Sequence, residues 1–159
     1  MGTLKYKSGL TLIEIIIVLA IFVIIILVGN NITSSLFSFG KEKILDKEMA
    51  KIKSELEEAR VLTLASKGGV SYGIHFDTEQ IVLFQGSSYL PNSPSNSTEN
   101  IDFKVNISNV ALTGGGNEVM FQKISGETNQ SGNITIALKN DATKTRNILV
   151  TKTGLVIIK

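Results

Sequence analysis

One carboxylate interrupts an otherwise apolar run. From Leu10 to Val28 the chain is almost wholly aliphatic, and Glu14 stands near the start of that run, just after Lys7-Ser8-Gly9. The run matches the ~20 residues that a helix needs to cross a bilayer. Each Ile, Leu, Val or Phe favours insertion by about 0.3 to 0.6 kcal/mol at mid-span, whereas an acidic residue opposes it by about 2.5 to 3.5 kcal/mol at the centre and by less near an end. The apolar residues outweigh Glu14, yet another Ile there would insert better. A charge kept in such a place points to function.

Lys5 and Lys7 precede the run with no acidic residue near them, so the positive-inside bias keeps the short N-terminus in the cytoplasm and sends everything after Val28 outward. A secretory signal peptide has a shorter apolar core, about 7–15 residues, and ends at a small-residue cleavage site. Gly29-Asn30-Asn31 offers none. The rest of the 159-residue chain suffices for one domain of ordinary size. With no cysteine, it has neither a disulfide framework nor a thiolate site. The formal charge of +2 includes Lys5, Lys7 and Glu14, which leaves the rest near neutral and disfavours a nucleic-acid-coating protein.

Helical patterning continues beyond the apolar run. Leu45, Met49, Ile52, Leu56 and Ala59 recur at spacings of four and three, an amphipathic seam. Lys41, Lys43, Lys47, Lys51, Lys53, Glu55, Glu57 and Glu58 form a solvated face, with Lys51/Glu55 and Lys53/Glu57 one turn apart. Gly29-Asn30-Asn31 and Gly40 are weak helix points, and Lys67-Gly68-Gly69 is a stop. One helix from Leu10 to about Ser66 is expected, softened around Gly29 to Gly40.

After Gly69 the period becomes two. Val70, Tyr72, Ile74 and Phe76 alternate with polar residues, and Asp77-Thr78-Glu79 turns into Ile81-Val82-Leu83-Phe84. Ser87 to Asn100 reads as a surface loop. Further strands are expected at Ile101 to Ile107, Glu118 to Ile124, Ile134 to Leu138, Ile148 to Thr151 and Leu155 to Ile158, with Gly114-Gly115-Gly116 as a flexible hairpin loop. Strands without intervening helices imply an antiparallel sheet whose apolar face is covered by the helical seam. The fold class is α+β: a long N-terminal helix packed on an antiparallel β domain. The expected divisions are 1–9, 10–28, 29–66 and 70–159.

Ser8-Gly9-Leu10-Thr11-Leu12-Ile13-Glu14, after a short Lys-containing leader and before an apolar helix, resembles the N-terminus of type IV prepilins and type II secretion pseudopilins. The resemblance implies cleavage by a membrane-embedded aspartic prepilin peptidase between Gly9 and Leu10, then N-methylation of Leu10. Glu14 becomes the fifth residue of the mature chain, where this family carries its glutamate; Leu10 stands where it often has phenylalanine. It also implies insertion in the cytoplasmic membrane, association with other pilin or pseudopilin subunits, and filament assembly driven by an ATPase and a platform membrane protein, with no enzymatic activity and no cofactor. The spacing has a physical sense. Cleavage creates an amine ~6 Å along the helix from Glu14, and opposite charges attract strongly in a low-dielectric layer. An incoming subunit's amine meeting Glu14 of a subunit already in place would fix axial register. The competing reading is a Glu that snorkels near the headgroups of a plain anchor.

A second resemblance, to the GspH and FimT group of minor pilins and pseudopilins, rests on Tyr72-Gly73-Ile74-His75-Phe76-Asp77, Ile81 to Gly86, Val119-Met120-Phe121 and Ile148-Leu149-Val150 through Thr153-Gly154-Leu155-Val156. FimT-like proteins implicated in DNA uptake carry an arginine-containing motif near the C-terminus. Here only Arg146 stands there, among Lys139, Lys144, Lys152 and Lys159, so that motif is not matched. The alternative function is a DNA-binding subunit of a competence pilus using Lys144 and Arg146. Against it, these cations also suit an edge strand defended against pairing, and no aromatic residue comes after Phe121 to stack on bases. His75, the only histidine, has no cysteine or second histidine to share a metal, and reads as a surface or hydrogen-bonded strand residue. Gly114-Gly115-Gly116 lacks the Lys-Ser/Thr of a phosphate loop.

Overall fold

The computed structural model describes residues 11–65 and 69–159, with backbone only at 28–39. Helix α1 spans Leu12–Leu64, 53 residues. Its start at Leu10, its end at Ser66 and the Lys67-Gly68 stop lie outside the described residues, as do the side chains of Gly29-Asn30-Asn31. The backbone at Gly29 to Gly40 is helical. The chain forms two compact units, 1–40 and 41–159.

In the second unit eight strands form two antiparallel sheets, where the sequence suggested one. They are β1 (Tyr72–Phe76), β2 (Gln80–Gln85), β3 (Ser97–Asn100), β4 (Val105–Leu112), β5 (Glu118–Met120), β6 (Gly132–Leu138), β7 (Asp141–Val150) and β8 (Val156–Ile158). One sheet has the order β3-β2-β1-β5 and the other β4-β6-β7-β8. The expected seam is the core: Leu45, Ile52, Leu56 and Ala59 are fully buried and Met49 nearly so, together with Ile74, Phe76, Val119, Phe121, Ile134, Ile136 and Ile148. The period of 3.6 on the helix and of 2 on the strands thus points both apolar faces at one interior.

Several expectations need correction. Ser97–Asn100 is a strand within the expected loop, held by pairing with Gln80 to Leu83; its polar sequence carries no periodic signal because it lies at a sheet edge. Asp102 accepts from the Lys104 N–H at 2.9 Å, a turn that delays the next strand to Val105. Gly114-Gly115-Gly116 does not join a hairpin, since β4 and β5 lie in different sheets. β5 ends at Met120, short of the expected Ile124. β7 starts at Asp141 rather than Ile148, and its polar first half pairs with β6.

Polar contacts fasten the helix to the sheets. Thr63, buried at the last turn, donates to the Ala59 carbonyl at 2.8 Å and accepts from the Tyr72 N–H at 2.9 Å, which ties the helix end to β1. Lys51 does not pair with Glu55 as its spacing suggested; its Nζ reaches Glu99 at 3.1 Å and the Asn100 carbonyl at 2.7 Å. Lys53 and Glu57 do pair, at 3.5 Å. Burial raises the Glu55 pKa, reinforced by Glu58 and Glu99 and opposed by Lys51. Glu48 breaks the pattern of a solvated charged face: it is 2% exposed and its Oε2 has no hydrogen-bond partner. An unsatisfied buried polar group costs about 1–3 kcal/mol. Glu48→Met should therefore raise unfolding stability by about 1 kcal/mol or more, measured by urea denaturation. A lowered midpoint would refute this reading of Glu48.

Candidate functional site

The first turn of α1 is capped locally. The Glu14 N–H approaches Thr11 Oγ1 at 3.4 Å and the Thr11 carbonyl at 3.1 Å, and the Ile15 N–H reaches that carbonyl at 3.3 Å. Thr11 and Glu14 thus stand at the Ncap and N3 positions of the helix, where an acidic side chain suits the positive end of the helix dipole. This role was readable in the Thr-x-x-Glu spacing and was missed beside the question of membrane charge. A shallow groove beside Glu14 is lined by Ile15, Val18 and Leu19.

From Ile15 to Leu27 the helix has no polar face. Large apolar side chains from Leu12 to Leu27 are all exposed in the single chain, Ile15 at 49% being the least so. A helix apolar on every side requires lipid or other apolar helices around it. No helix among the described residues is long and apolar enough to cross a membrane; the ends of the apolar run, Leu10 and Val28, lie outside the described side chains. Gly9 and Leu10, the expected cleavage and methylation positions, are outside them too.

In the β domain, Lys144 and Arg146 are engaged. Lys144 Nζ lies 3.0 Å from Glu42 and Arg146 Nε 3.0 Å from Asp46, both acids on α1. Lys139 pairs with Glu79. β8 pairs with β7 only at Ile148 to Val150, so Lys144 and Arg146 lie on the half of β7 that only β6 flanks, an open edge as the sequence suggested; they also fasten strand to helix. Asp141 is held below the usual carboxylate range, chiefly by the Thr143 hydroxyl, with Lys41 and Lys144 adding to it. The basic bias of this segment is thus largely neutralised in place, a cancellation across about a hundred residues that no local reading of the sequence supplies.

His75 is not a surface residue. Its side chain is 17% exposed, between Asp77 and Glu118. The two carboxylates approach opposite ring nitrogens, a geometry unable to chelate one ion. Among the described residues no group of three His, Cys, Asp or Glu side chains is placed to hold a metal.

Comparison with known proteins agrees with this architecture. Residues 4–29 match the family described as the prokaryotic N-terminal methylation motif. No individual curated protein matches the chain. Its fold is similar to the crystal structure of the type IV minor pilin FimU of Pseudomonas aeruginosa, with a TM-score of 0.54, 10% identity, and 72% of this chain and 92% of that one covered. It is also similar to EpsH, the minor pseudopilin of the Vibrio cholerae type 2 secretion system, with a TM-score of 0.53, 12% identity, and 72% and 95% covered. The chain therefore joins a prokaryotic N-terminal methylation motif to the fold of minor pilins and pseudopilins.

Proposed function

We propose that this chain is a non-enzymatic minor pilin or pseudopilin, made as a prepilin, cut between Gly9 and Leu10, methylated at Leu10, and assembled from the cytoplasmic membrane into a pilus or secretion pseudopilus. The observation that carries the reading is the methylation motif running straight into a helix with Glu14 in its first turn and apolar side chains exposed on every side. Before assembly, lipid covers that surface; in the filament, helices of neighbouring subunits do. The leader is 1–9, the membrane and filament-core segment 10–28, and the β domain outside the membrane presents the outer surface. Prepilin peptidase, other subunits and an assembly platform are its partners. The ion pairs of Lys144 and Arg146 speak against a DNA-capturing subunit built on those two residues.

Intact-mass and N-terminal peptide analysis of protein extracted from its native membrane tests this. The expected chain begins at N-methylated Leu10. A chain starting at Met1 or Gly2, in cells that process another prepilin, would overturn it.

A further inference from the structure

The segment from Gly86 to Asn96, between β2 and β3, lies over the face of the β3-β2-β1-β5 sheet that points away from α1. Ile74, Phe76 and Ile81 join the core with the helix, so Gly73, His75, Val82 and Phe84 point the other way, and the register places His75 opposite Val82 and Gly73 opposite Phe84. Val82 and Phe84 are nonetheless buried. Tyr89 helps cover them. Its ring meets Phe84 edge-on at 5.9 Å and stacks on His75 at 4.0 Å and 14°. Gly73 leaves room for this layer, since a Cβ there would lie 2.6 Å from Phe84 Cζ. The Tyr89 N–H donates to Glu118 Oε2 at 3.1 Å. The strap also carries both prolines of the chain, Pro91 and Pro94, and the Asn96 side-chain amide donates to its own Leu90 carbonyl at 2.9 Å.

Beneath the strap, His75 Nδ1 lies 3.8 Å from Glu118 Oε1, and Nε2 lies 3.7 Å from Asp77 Oδ1. Asp77 follows β1, Glu118 comes from β5 and Tyr89 from the strap, while β2 contributes the uncharged Val82, Phe84 and Gln80, whose side-chain amide donates to Asp77 Oδ2 at 2.9 Å. A neutral imidazole has one N–H, so one of its nitrogens presents a lone pair to a carboxylate. Nδ1 is buried without a hydrogen-bond partner. An imidazolium carries a donor on each side and a positive charge against the Tyr89 ring.

We propose that protonation of His75 fastens this strap to the sheet and that deprotonation releases it. The protonated ring draws in Glu118, which holds the strap backbone at Tyr89, and it strengthens the stack with the Tyr89 ring; both contacts change in the same direction. By linkage, fastening is favoured while the ring is protonated and weakened once it is neutral. This goes beyond the proposed subunit role and does not depend on it.

The test is hydrogen exchange of the full-length protein in detergent, corrected for intrinsic exchange rates, at about pH 5.5 and about pH 8. The strap peptide should be about tenfold more protected at the lower pH, the effect of one charge-assisted bond, while β1 and β6 peptides keep their protection. His75→Gln should abolish the difference and leave the strap at its high-pH level. Because the chain has a single histidine, its imidazole NMR signal is unambiguous; if His75→Gln fails to fold, a lower titration midpoint in Glu118→Gln supports the proposal and an unmoved one refutes it. Equal strap protection at both pH values, an undiminished pH difference in His75→Gln, or parallel loosening of the core strands would each overturn it.

Discussion

Gly154→Ala should destabilise the β domain by about 3 kcal/mol or more, a large share of the 5–15 kcal/mol of a typical domain. Gly154 has φ +75°, a conformation that costs an L-residue about 1 kcal/mol. The heavier cost is steric. A Cβ at Gly154 would lie 1.9 Å from the Gly126 carbonyl oxygen and 2.9 Å from Arg60 Nε. The obstacle is backbone, and that carbonyl also accepts from Arg60 Nε at 3.1 Å. Relieving the overlap means pulling the 151–155 turn off the 122–127 loop or moving that loop off the helix, which strands a guanidinium bond worth about 1.5–3 kcal/mol. Thermal unfolding of the full-length protein should show a fall in Tm of more than about 10 °C. Gly114→Ala is the matched control, with φ +86° and nothing within 4 Å of the added carbon, so it should cost only about 1 kcal/mol. Equal effects would refute the steric account.

The second large effect concerns assembly. Under the proposed function, Glu14→Gln should leave processing at Gly9 and folding of the β domain intact while reducing incorporation into filaments at least tenfold, which corresponds to about 1.4 kcal/mol lost per docking event. Gln is the informative substitute because it suits the N3 position of a helix as Glu does, so a merely local helix-start role would survive it. What it lacks is the charge that pairs with an incoming amine in a low-dielectric layer. The readout is the ratio of protein in sheared or cross-linked filaments to protein in the membrane. An unchanged ratio would leave Glu14 as a cap and remove its proposed role between subunits.

The helix and the core were legible because their signals are periodic. The seam from Leu45 to Ala59 is nearly inaccessible along its whole length, and the alternations at Tyr72 to Phe76 and Ile134 to Leu138 are strands. Legibility failed where tertiary pairing replaces pattern. Ser97–Asn100 is extended because β2 offers it an edge, and Asp141 to Asn147 because β6 does so on one side while the acids of α1 take up Lys144 and Arg146. Ile81, Val82 and Phe84 are buried on the two faces of their strand, and nothing local shows that Tyr89 covers the second face. At the candidate site, the Gly9 to Glu14 string was found from spacing and resemblance, whereas the cap made by Thr11 emerged only with the geometry of the first turn.

The path of β5 between the sheets bears on how the chain reaches its final form. β5 sits between β4 and β6 in sequence yet pairs with β1, while its two neighbours pair with each other. Neither sheet can be completed from a continuous stretch of chain, and each waits on a loop closed across the other. A chain emerging N-terminus first would therefore hold its early strands with an open edge until Glu118–Met120 arrived. Cutting the chain between β4 and β5 would then leave two incomplete sheets rather than one finished half, so the β domain should be acquired in a single cooperative step.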